Sequence, residues 1–82
     1  MAITEDDYDL VIEHYSNVIH LNPADAEAYF DRAEVYLKSG ADSCSEEKLR
    51  LAYEDLKKGL KLNPNSERAQ LVKYILGKSA DP

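Results

Sequence analysis

Few residues of this 82-residue chain stand at spacings that could do chemistry. His14 and His20 are its two histidines. They are six residues apart, on different faces of a helix, whereas ligand pairs on a helix use i, i+4. Cys44 is the single cysteine, and one thiol makes neither an intrachain disulfide nor a zinc site. A position near a helix start can lower a thiol pKa, but no local Ser/His/Asp or Cys/His set surrounds it. The acidic doublets Asp6-Asp7 and Glu46-Glu47 fit solvated helix starts, where negative charge meets the positive end of the dipole. The three glycines are scattered and form no phosphate-binding loop. These residues predict no enzyme, no cofactor and no metal.

Charge narrows the partners. The net charge is −6, with an isoelectric point near 4.7. A nucleic-acid backbone requires clustered Lys and Arg, and anionic membrane surfaces require the same, so neither is expected. No apolar run approaches the roughly 20 residues that span a bilayer. The start, Met1-Ala-Ile-Thr-Glu-Asp-Asp, lacks the basic and apolar regions of a signal peptide. With one unpaired cysteine, this predicts a cytoplasmic protein. Apolar residues at 44% make the chain too apolar for disorder, and its length suits one domain, residues 1–82.

Helical spacing recurs four times, which predicts an all-α fold. Tyr8, Val11, Ile12, Tyr15, Val18 and Ile19 form one stripe over about 5–21, with Thr4 placed to cap its start. Pro23 ends that segment, because proline disfavours helical backbone in the residue before it. Ala26, Tyr29, Phe30, Ala33, Tyr36 and Leu37 form a second stripe over about 26–39, between a capping Asp25 and Gly40 as its stop. A third, over about 45–62, carries Leu49, Ala52, Tyr53, Leu56 and Leu60. Ser43 and Glu46 stand at capping-box spacing before it. A fourth, over about 67–77, carries Ala69, Val72, Ile75 and Leu76, before a polar tail expected to fray. Short connections make sequential helices antiparallel neighbours.

The triplet Leu21-Asn22-Pro23 returns 41 residues later as Leu62-Asn63-Pro64. At the same shift Glu13 meets Glu54, Ala28 meets Ala69, Phe30 meets Leu71 and Val35 meets Leu76. The repeating unit is therefore a helix, a turn and the next helix. Each proline blocks continuation of one helix and marks a repeat joint.

In these residues the chain resembles the tetratricopeptide repeat family, whose motif of about 34 residues reads W-x2-L-G-x2-Y…A-x3-F…P over two antiparallel helices. Here the run is Tyr29-x2-Arg32-Ala33-x2-Tyr36, then Ala52-x3-Leu56, Gly59 and Pro64. Tyr29 stands for the tryptophan, and Arg32 departs from an apolar position. The stretch between Gly40 and Ala52 is longer than the motif by about seven residues, or two helical turns. That insertion, around residues 41–51, is expected to extend the second helix of the repeat at its N-terminal end and to include a short loop. The chain then reads as one whole repeat, about 26–66, between two half repeats. The resemblance implies a right-handed array of about four helices in antiparallel hairpins.

It also implies a protein–protein interaction module, a scaffold or adaptor that holds a peptide or partner helix on the face formed by first helices. By motif position that face presents Glu27, Phe30, Asp31, Glu34 and Leu37, then Arg68, Leu71, Val72 and Ile75. Phe30, Leu71 and Ile75 could equally complete the core. Some family members grip chaperone C-terminal carboxylates with Lys, Asn and Arg. Glu27 and Asp31 occupy the Lys and Asn places and would repel such a ligand, so the expected partner is apolar or basic. Tyr74 falls where the family needs a small residue and would obstruct a following helix; it could instead fold over the end of the array. The large stripe of the first segment has one neighbour to cover it. Either the helices close into a bundle, or a second copy covers Tyr8, Ile12 and Tyr15 in a homodimer. The alternatives to a peptide binder are thus a self-associating structural domain and a piece of a longer tetratricopeptide co-chaperone or adaptor.

Overall fold

The computed structural model describes residues 5–80, with side chains described over 7–77. Thr4 lies outside the described residues. Four helices follow one another: α1 (Glu5–Leu21), α2 (Ala26–Ser43), α3 (Glu46–Leu62) and α4 (Ala69–Ala80). Among the described residues, backbone packing joins α1 to α2, α2 to α3 and α3 to α4, and no other pair. The helices therefore form an open array of successive hairpins, a slab of 36 × 34 × 22 Å, and not a closed bundle.

The two joints are built by the same hydrogen bonds. The Asn22 amide donates to Val18 O at 2.9 Å and the Asn63 amide to Gly59 O at 2.9 Å. The amides of Asp25 and Ser66 then donate to the carbonyls of Asn22 and Asn63. Each asparagine side chain also accepts from the amide two residues on, Ala24 in one case and Asn65 in the other. An asparagine that closes its own turn, followed by a residue with no N–H to give, explains the shared triplet. The joints differ only afterwards. Asp25 caps α2 at once, its side chain accepting from the Ala28 amide, whereas a further turn at 67–68 delays α4 to Ala69.

The insertion is shared between two helices. α2 runs through Gly40 to Ser43 and stops at Cys44, which is exposed and adopts left-handed backbone (φ 54°, ψ 41°). Gly40 is thus not the stop. Its value is close packing, since a Cβ there would lie 2.9 Å from Leu49 Cδ2 and 3.2 Å from the Leu49 amide nitrogen. Nor does Ser43 cap α3: its hydroxyl donates to Ser39 O, and Ser45 is the N-cap, accepting from the Lys48 amide. The additional residues lengthen α2 at its end and α3 at its start, leaving Cys44-Ser45 as the connection.

The main core lies between α2, α3 and α4. Phe30, Ala33, Ala52, Leu56 and Val72 are all at most 3% exposed. Alanines at the α2–α3 crossing let the backbones approach. Gly59 completes this contact, because a Cβ there would fall 2.6 Å from the Phe30 ring. Full burial of a ring such as Phe30 contributes roughly 1.5–3 kcal/mol. A smaller cluster of Ile19, Ala28 and Tyr29, with Val18 against it, joins α1 to α2. Tyr74 is 62% exposed, so it does not fold over the end of the array.

Candidate functional site

α2 and α4 lie on the same side of α3, and a cavity of about 280 Å³ opens between them. Phe30 and Val72, both buried, form its floor together with Leu56 of α3. Leu37, Leu71 and Ile75 line its walls, with Glu34 and Arg68 on the rim. Glu27 and Asp31 lie beyond the rim, on the same face of α2 at i, i+4 spacing. The structure thus gathers Phe30, Glu34, Leu37, Arg68, Leu71, Val72 and Ile75 in one cleft. Their availability differs: Leu71 is 61% exposed, whereas Phe30 and Val72 are core residues seen from outside.

Arg68 organises the rim. Its guanidinium is 2.5 Å from Asp31 Oδ1, 3.2 Å from Glu34 Oε2 and 3.5 Å from Glu27 Oε1, and lies 5.6 Å from the Phe30 ring centroid. Burial pulls its pKa down, but hydrogen bonding and charge from Asp31, with Glu27, outweigh this and leave it raised. The Ser66 hydroxyl donates to Glu27 Oε2 at 2.6 Å. A second, polar cavity of about 370 Å³ adjoins this end, with Glu67 in its lining. The cleft is therefore apolar at its floor and acidic at one end.

Behind it lies a cationic centre that the sequence does not announce. Arg32 makes a two-pronged pair with Asp55, both bonds 2.7 Å, and donates to Ser16 Oγ at 3.1 Å. Its guanidinium sits 5.9 Å from the Tyr29 ring and 5.8 Å from that of Tyr36. Hydrogen bonding to Asp55 holds the Arg32 pKa above its ordinary value, against the opposing pull of burial. Burial also raises Tyr36, partly offset by Arg32. This arrangement pins three helices through one side chain and satisfies the departure at Arg32. Arg32 and Asp55 are 23 residues apart on different helices, and no local spacing signals such a pair.

On α1, Tyr8 faces inward: it is 9% exposed and its hydroxyl donates to Asp42 Oδ2 at 2.6 Å. It is not on the uncovered face expected of a dimer contact, because the additional turn of α2 carries Asp42 over it. Ile12 and Tyr15 are half-buried, and the outward apolar residues of α1 are instead Leu10, Val11 and Leu21. His14 is exposed and stacks edge-on against Tyr15. Among the described residues no three His, Cys, Asp or Glu side chains gather as a metal site, and no helix is long and apolar enough to cross a membrane.

Residues 5–40 match a family model described as TPR repeat. Residues 5–40 carry a tetratricopeptide repeat. The matched residues carry α1, the first joint and α2 up to Gly40, which is where the insertion begins. Among curated proteins, the Protein SGT1 homolog of Oryza sativa subsp. japonica is 35% identical over 72 residues. The alignment takes in 88% of this chain, which spans 18% of that relative's length. No solved structure matches the chain. Tetratricopeptide repeats are non-enzymatic modules that mediate protein–protein interaction.

Proposed function

We propose that residues 1–82 act as one tetratricopeptide domain that binds a peptide segment or helix of another protein in the α2/α4 cleft. One observation supports this most. Seven positions that the family pattern assigns to the binding face surround a single apolar cavity, with an exposed Leu71 at its mouth. A chaperone C-terminal carboxylate is not the partner in this reading. The one suitable cation, Arg68, is already engaged by Asp31, Glu34 and Glu27, and a carboxylate would meet their charge. We assign this work to the cytoplasm, on the strength of a lone cysteine, Cys44.

NMR titration with amphipathic peptides tests the reading. Shifts should concentrate at Leu37, Leu71 and Ile75, and Leu71→Glu should weaken binding at least tenfold while the chain stays folded. Shifts confined to α1, with Leu71→Glu binding as the wild type does, would remove the cleft as the site.

A further inference from the structure

We infer that Arg68 is an internal stand-in for a cationic side chain of the partner, which makes the preferred occupant a segment with an aliphatic face beside Arg or Lys. The inference rests on the α2/α4 cleft being the binding site and specifies what that cleft selects.

Charge complementarity carries it. Glu27, Asp31 and Glu34 stand at i, i+4 and i+7 on α2 and converge on one guanidinium. All three side chains are more than a third exposed, at 50%, 36% and 55%. Lys38 shares Glu34 at 3.2 Å, and Glu67 adds a further carboxylate beside the adjoining polar cavity. Carboxylates thus outnumber cations at this end of an otherwise apolar cleft, and water reaches each of them.

Arg68 shows what the seat accepts: a planar cation forked between Asp31 and Glu34, 5.6 Å from an aromatic ring. Arg68 stands in the turn just before α4, and its side chain is 32% exposed, so it can rotate away into water. An incoming guanidinium would replace like with like while its aliphatic neighbours enter the 280 Å³ cavity. Arg68 would then be a competitor of the ligand, the opposite of its role in a carboxylate clamp.

The test uses the full chain and two helical peptides with leucines at i, i+3 and i+7, flanked either by two arginines or by two glutamates. Fluorescence anisotropy should show the arginine peptide binding at least tenfold tighter, with the preference falling as salt screens the rim. Arg68→Gln should bind the arginine peptide several-fold tighter, and Glu34→Gln several-fold weaker. Circular dichroism establishes that each variant is folded; should Arg68→Gln unfold, Glu34→Gln decides. A folded Arg68→Gln with unchanged or weaker binding overturns the inference, as does a Glu34→Gln variant that binds like the wild type. Equal binding of both peptides in the cleft also overturns it while leaving the cleft reading intact. Failure of both peptides to bind removes the two together.

Discussion

Phe30 and Leu71 occupy equivalent places in the repeat, yet Phe30 is 1% exposed and Leu71 is 61% exposed. Ala33 and Tyr74, three residues further along, contrast in the same way at 0% and 62%. The joints leading into α2 and α4 share their hydrogen bonds, so turn geometry does not cause the difference. The neighbours do. α2 is packed by α1 on one side and α3 on the other, whereas α4 packs against α3 alone among the described helices. The equivalent pair Ala52 and Val11, at 0% and 40%, repeats the lesson on α3 and α1. One amphipathic pattern makes a core where it is enclosed and an exposed apolar wall where it is not.

This contrast can be broken most forcefully at its centre. Phe30→Ala should destabilise the chain by about 3–5 kcal/mol, a large share of the roughly 4–12 kcal/mol expected of a domain this size. Leu71→Ala should stay within about 0.5 kcal/mol of wild type. Urea denaturation of the two variants checks both values, and equal losses would mean that α4 is enclosed after all. Asp55→Ala comes next. It leaves the Arg32 guanidinium without its two-pronged partner, at a cost of about 2 kcal/mol given partial solvent access, read as a lower urea midpoint at neutral pH.

The glycines sharpen the same comparison on a smaller scale. Gly59→Ala pushes a methyl group against the buried Phe30 ring and lies 3.1 Å from Ala26 O. Overpacking should outweigh the gain in helix propensity and leave a net loss of about 1 kcal/mol. Gly77→Ala meets nothing within 4 Å and should raise stability by up to about 1 kcal/mol, both measurable as opposite shifts in Tm. The smallest effect is alkaline. The folded pKa of Tyr36 is raised above its ordinary 10.0. Its contribution is therefore fully present below the unfolded value and is lost as pH rises through the folded one. Absorbance titration should show Tyr36→Phe removing a phenol that ionises above the ordinary value and flattening this loss.

Much of the cleft was legible before any coordinates. Glu34 and Leu37 of α2, and Leu71, Val72 and Ile75 of α4, are placed on one face by the resemblance to the tetratricopeptide motif, whose first helices form that face. Leu56 was read as core and not as cleft floor, because floor and core are two sides of one residue. Gly40 and Ser43 were misread because stop and cap signals are local, whereas close packing against Leu49 is not. Tyr8 belonged to a correctly identified stripe, but only the lengthened α2 brings Asp42 to its hydroxyl.

By itself the sequence determined four helices, where the Asn-Pro joints interrupt them, and the order in which neighbours follow. These depend on backbone propensity and on hydrogen bonds within a few residues. Tertiary structure alone decided which stripes became core, that Arg32 would find Asp55 across 23 residues, and that Arg68 would sit among the carboxylates of α2. Burial and charge pairing depend on surfaces brought together from distant parts of the chain, and no spacing along one helix encodes what will lie against it.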